Sequence, residues 1–167
     1  TETWYKSFII GEKLAQLCAE IAFIQLKNGR HFIIENPKGS DLFRLPCMRA
    51  LWATGKLKEV HFPQCALGLM SPEGLPLLKW TTLWTSTDIL THPFKNLECT
   101  HEHHGDISGT YKGMSRSKLA QVWPLAFCRK IVYAILQLVH QEKRSITYFT
   151  PDGAVFDCQG CKWCRVS

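Results

Sequence analysis

Cys99, His101, His103 and His104 fall within six consecutive positions, a density of soft and borderline donors that suits a transition metal. If the segment is extended, alternation places Cys99, His101 and His103 on one face. One thiolate with two imidazoles suits Zn2+, and a tetrahedral site needs a fourth donor. Cys65 is the candidate, expected at a strand end facing this loop, and His104 is the alternative. A second constellation is Phe32-Ile33-Ile34-Glu35-Asn36-Pro37, which puts a carboxylate and an amide at the carboxyl end of a buried strand, with Lys38-Gly39-Ser40 behind them. Glu35 there can give or take a proton at the hydrogen-bonding edge of a nucleobase, and Asn36 can hold the loop or the Glu. The plainer alternative is that Asn36-Pro37 only ends a strand and Glu35 is solvated. A third group, Cys158, Cys161 and Cys164, has Cys-x-x-Cys spacing and leaves an incomplete zinc ribbon, a disulfide and free thiols all open.

Several elements are needed to position these groups. Leu14, Leu17, Cys18, Ile21, Ala22 and Ile24 recur at three-and-four spacing and predict a helix over 12–27, stopped by Asn28-Gly29. Residues 31–35 read as a short buried strand. Ser40 or Asp41 caps a helix through Leu42, Phe43, Leu45, Met48 and Leu51, with Pro46 as an internal objection and Gly55 as its stop. Strands are expected over 59–69 and 79–85, and Trp80 and Trp84 on the latter pattern read as core. Residues 91–116 lack periodicity and read as a long loop, of the kind that is functional or metal-held. Pro124 opens a helix whose face runs Phe127, Ile131, Ala134, Ile135, Leu138 and Val139. A hairpin over 145–156, turning at Pro151-Asp152-Gly153, precedes the Cys-rich tail. Alternating helices and strands predict an α/β layered domain.

The 167 residues are 46% hydrophobic and 20% charged, enough apolar material for one core and too much for a disordered chain. A transmembrane run is absent, so no membrane partner is expected. Twenty Lys and Arg against fourteen Asp and Glu give +6, which favours an anionic partner. The first residues show no signal-peptide pattern, and eight Cys beside an adequate core do not demand disulfides, so an intracellular setting, nuclear or cytoplasmic, is the expectation. Cys18, Cys47 and Cys128 read as small buried hydrophobes. For nucleic acid, Lys38, Ser40, Arg44 and Lys79 are the residues expected to hold the backbone near Glu35, with phosphate contacts that position without reading sequence.

Read in order, the Phe32–Pro37 string, Leu45-Pro46, the run Val60-His61-Phe62-Pro63-Gln64-Cys65-Ala66-Leu67-Gly68, the run Lys79-Trp80-Thr81-Thr82-Leu83-Trp84-Thr85 and the Cys-His segment at 99–104 resemble phage-type DNA cytosine-C5 methyltransferases. They resemble still more the related domains in polyproteins of some eukaryotic retroelements. The resemblance covers roughly residues 13–132 and rests on the ordered series. It implies a partial class I methyltransferase-like, Rossmann-like α/β sheet with flanking helices and a His/Cys-rich loop. Residues 1–145 would form that domain, without the methyl-donor half, and 146–167 the hairpin and tail.

In the family this resembles, the Glu of Glu-Asn contacts the ring nitrogen and exocyclic amine of a flipped cytosine. Glu35, with Asn36 beside it, occupies the matching position. The family's Gly-rich S-adenosylmethionine loop and its Pro-Cys nucleophile precede that strand and have no counterpart in the 34 residues before Glu35. Pro46-Cys47 lies after it, in an apolar helical pattern unsuited to a thiolate. The expectation is therefore a nucleic-acid-binding, DNA cytosine methyltransferase-like domain, catalytically incomplete as an isolated chain. S-adenosylmethionine would bind only if an upstream segment, the rest of a polyprotein or a complementary subunit supplied its site. The alternative is a degenerate enzyme domain kept as a zinc-stabilised structural or protein-interaction module.

Overall fold

The computed structural model describes residues 2–145, 148–149 and 155–156. A three-stranded sheet carries helices on both faces, so the mixed α/β class expected from the sequence holds. Its strands are β1 (Ile33–Pro37), β2 (Lys58–Pro63) and β3 (Trp80–Thr85), in the order β1-β3-β2 with both pairings antiparallel. The carboxylate strand is thus an edge strand, and β3 is central. Because β3 runs against both neighbours, β1 and β2 point the same way and are joined by a crossover. That crossover carries a 3-10 turn (Asp41–Arg44) and helix α2 (Pro46–Trp52). The single helix expected here is broken at Leu45, since Pro46 cannot donate to a preceding turn but fits the first position of a new one.

Register assigns side chains to the two faces. Glu35, Leu83 and Val60 stand in one row, with Pro37, Thr81 and Phe62 beside them. That face packs on Phe94, Phe127 and Leu67. The core here is aromatic: Phe62 stacks on Phe94 at 4.9 Å, and Phe127 meets Phe94 edge-on at 5.5 Å. Phe127 comes from α5 (Leu125–Ser145), whose Ala134 and Leu138 cover Leu90 of α3 (Asp88–Thr91). Ile135 and Val139, expected on the same face of α5, are exposed. His31 ties the layers together, with Nδ1 2.9 Å from Ser86 Oγ and Nε2 3.0 Å from Glu142.

The opposite face carries Ile34, Asn36, Thr82, Trp84 and His61. Ile34 and Trp84 pack against Met48 and Leu51 of α2 and against α1 (Glu2–Lys27). Helix α1 starts ten residues before the expected Glu12 and stops at Asn28-Gly29 as the sequence indicates, with Gly29 at φ +64°. It buries its small residues Ala15, Ala19 and Ala22, which lets it approach α2 closely. The larger Leu14, Leu17, Ile21 and Ile24 face solvent. Of the stripe read as one face, Ala22 is buried and Cys18 half-buried while the four aliphatic residues are exposed, and Ala15 and Ala19, outside that stripe, complete the buried face. Among the described residues no helix is long and apolar enough to cross a membrane.

Strand β2 ends at Pro63, short of the expected residue 69, because a 3-10 turn (Gln64–Leu67) takes over and closes on Gly68 at φ +84°. The region expected to be one long loop opens with a 3-10 turn (His92–Phe94) and contains β4 (Thr110–Tyr111) and β5 (Met114–Ser115) in its second half, and α4 (Arg116–Leu119) begins at its last residue. The expected hairpin is present as β6 (Tyr148–Phe149) paired with β7 (Val155–Phe156). Its turn at Pro151-Asp152-Gly153 and the Cys158, Cys161 and Cys164 tail lie outside the described residues.

Candidate metal centre and adjoining carboxylate

Two of the sequence constellations meet at one end of the sheet. Pro37 pairs with Thr81 and Pro63 with Trp80, so the carboxyl ends of β1 and β2 flank the start of β3. The turn after β2 places Cys65, which is 3% exposed, and the Gly68 N–H closes that turn on the Cys65 carbonyl at 3.0 Å. The loop after Leu97 brings the remaining donors to it. Cys99 Sγ lies 3.1 Å from His104 Nε2 and 3.5 Å from His101 Nδ1, and the two imidazoles stand edge to face. Ligand atoms of Cys65, Cys99, His101 and His104 all lie within 4.8 Å of one another. Two sulfurs and two ring nitrogens so placed can hold a metal ion.

The structure thus takes Cys65, Cys99 and His101 from the expected set and replaces His103 by His104. Residues 97–101 have no regular extended pairing, so strict alternation fails and His103 turns to solvent. Burial and the neighbouring Cys99 push the Cys65 thiol up to about 11, partly offset by backbone N–H groups. The Cys65 thiol thus resists ionising, and a divalent cation beside it would reverse that preference. The loop is anchored again at Gly105, whose N–H donates to Pro76 at 2.9 Å. A Cβ there would meet Ser71 at 2.7 Å, so only glycine allows the approach.

Glu35 lies on the aromatic face of the same sheet end. Burial raises its pKa above the ordinary carboxyl value, while the Lys79 ammonium and the polar groups of Trp123 and Thr81 pull it down. Its Oε1 is buried and accepts no hydrogen bond. Next to it, the fully buried Gln64 donates from Nε2 to Thr81 Oγ1 at 2.7 Å and leaves its own Oε1 without a partner. Two orphaned acceptors therefore share Thr81 as a neighbour. Leaving such an atom unpaired costs about 1–3 kcal/mol, and an orphan of this kind calls for a proton, water or ligand to satisfy it.

The other expected residues disperse. Asn36 projects to the opposite face from Glu35, as strand alternation requires, so it cannot share a ligand edge with Glu35 or hold that carboxylate. Lys79 joins Glu35 and donates to the Ala120 carbonyl at 3.2 Å. Lys38 sits 4.8 Å over the Trp80 ring, and Trp80, expected in the core, is 41% exposed at the mouth of the sheet. Ser40 is occupied as a cap, accepting from Leu42 N–H at 3.2 Å, and Arg44 pairs with Asp41 in solvent. Cys18, Cys47 and Cys128 are half-buried, and burial raises the Cys18 thiol further. Gln64, Thr81 and Trp123 were not legible as site residues. A buried Gln directly before a candidate metal ligand was the one available signal.

No protein-family description, curated protein or solved structure matches this chain.

Proposed function

We infer that the chain is a nucleic-acid-binding, DNA cytosine methyltransferase-like domain in which Glu35 meets the hydrogen-bonding edge of a cytosine. The observation that carries this reading is the pair of buried, unpartnered oxygens on Glu35 and Gln64. A protonated Glu35 donates to an unprotonated ring nitrogen, and the acceptors beside it take an exocyclic amine, which is the pattern cytosine offers once it is out of the stack. Lys79 beside the carboxylate adds a cation on the same face.

A Rossmann-like relationship would rest on the same-sense strands β1 and β2 joined through α2, although antiparallel β3 lies between them and both pairings of the sheet are antiparallel. Among the described residues the outer edge of β1 pairs with no strand. A complementary subunit or polyprotein segment bearing S-adenosylmethionine and a nucleophile has that edge to extend. Methyl transfer belongs to such an assembly; this chain's own part is to hold the base and the proton at Glu35. In the metal centre, two thiolates and two imidazoles form a closed set with no position left for substrate, which suits a structural zinc fixing the 95–109 loop.

Fluorescence anisotropy with single-stranded oligonucleotides that differ only in one central cytosine or thymine tests the reading. Binding weakens linearly in log-salt, and cytosine is preferred by the wild type but not by Glu35→Ala, which has neither donor nor acceptor. No binding at low salt, or a preference that survives Glu35→Ala, overturns it and leaves the zinc-stapled interaction module.

A further inference from the structure

The exposed face of α1 is organised. Ile10, Leu14, Leu17, Ile21 and Ile24 are 48–60% exposed and recur at intervals of four, three, four and three, the seam of a coiled coil. They lie across the helix from Ala15, Ala19 and Ala22, which face the domain. A two-faced helix of this kind has its second apolar face free for a partner. The seam is about 21 Å long at 1.5 Å per residue.

We propose that this face pairs with α1 of a second copy of the chain, antiparallel about a two-fold axis. The charges beside the seam select both orientation and register. With Leu14 and Ile21 at the first core position of each heptad and Ile10, Leu17 and Ile24 at the second, Lys13, Glu20 and Lys27 flank the seam on one side and Gly11, Cys18 and Gln25 on the other. A parallel pair would set Lys13 against Cys18 and Glu20 against Gln25, with no charge match. An antiparallel pair layering Leu14 on Leu17 and Ile10 on Ile21 of the second copy sets Lys13 against Glu20 twice. Sliding by one heptad, so that Leu14 meets Ile24, sets Glu20 against Glu20 and Lys13 against Lys27. Among registers with four apolar layers, only the first brings opposite charges together.

The arrangement is self-complementary, as a two-fold interface must be, and Gly11 opposite Cys18 leaves room for close approach. Surface ion pairs of this kind contribute little strength and act mainly by penalising wrong registers. The aliphatic seam supplies the affinity. This inference does not depend on the functional reading above.

Sedimentation equilibrium of the full chain at micromolar concentrations tests it. The wild type sediments at twice 19.1 kDa. Leu17→Glu sediments at a single chain mass with unchanged far-ultraviolet circular dichroism, since Leu17 is 52% exposed and supports no core. Lys13→Glu and Glu20→Lys each weaken the dimer several-fold, and the two together restore it. A wild type that stays monomeric overturns the proposal, including the case where another protein covers the face. A dimer that survives Leu17→Glu overturns it as well. Failure of the charge exchange to restore pairing overturns the antiparallel register.

Discussion

Zinc held by Cys65, Cys99, His101 and His104 should stabilise this protein by an amount that the chain's own connectivity sets. Cys65 stands on the turn after β2 and Cys99 on the loop, 34 positions apart. A cross-link over an interval of that length restricts the unfolded chain by about 4 kcal/mol. His101 and His104 close only short intervals and add little to that figure. In a chain of this size each kcal/mol moves the melting temperature by about 2–4 °C, so chelation should lower it by about 8–16 °C. The assay is thermal unfolding followed by circular dichroism, on protein purified with zinc, after chelation, and after zinc is restored. The Cys99→Ser and His104→Ala variants should melt near the chelated wild type and respond weakly to zinc. His103→Ala should behave as the wild type does, because its imidazole is outside the cluster. A melting temperature indifferent to chelator, or equal losses in His103→Ala and His104→Ala, would refute the reasoning.

Three further outcomes follow from the same geometry. Burial raises the Glu35 pKa in the folded state, so folding binds a proton, and stability falls as pH rises from the ordinary carboxyl value through the raised one. Urea midpoints across pH should therefore show Glu35→Gln gaining on the wild type at neutral pH and losing that advantage in acid. Phe127→Ala removes a fully buried ring from the aromatic cluster and should cost about 3–5 kcal/mol by denaturant unfolding. Arg116 chelates the Glu73 carboxylate, with Nη1 at 2.9 Å from Oε2 and Nη2 on Oε1, and holds its pKa at about 2. Carbon-13 titration of Glu73 should show that low midpoint in the wild type and an ordinary one in Arg116→Ala; stability from the pair is present above the ordinary carboxyl range and fades as pH falls through 2.

Local signals carried further than long-range ones. Asn28-Gly29 stopped α1 where expected, and Trp84 took its core position on β3, because both depend on neighbours a few residues away. Cys65 was legible as a candidate ligand, since a strand end must face some loop. The choice between His103 and His104 was not, because it depends on whether the loop is extended, and no periodicity governs an irregular segment. That Asn36 cannot hold Glu35 was readable in principle: adjacent strand residues point to opposite faces, and Glu35 and Asn36 are adjacent. Trp80 reads as core by alternation but begins its strand at the open end of the sheet, where burial runs out. Gln64 and Thr81, seventeen positions apart, meet only through sheet register, which a single sequence does not disclose.

The most direct test of the account is a carbon-13 titration of the Glu35 side-chain carboxyl, alone and with a cytosine-containing oligonucleotide. The account predicts a midpoint above that of an ordinary glutamate and a further upward move when the oligonucleotide is added, because the protonated acid becomes a donor to the base. An ordinary midpoint that the oligonucleotide leaves unchanged would contradict it.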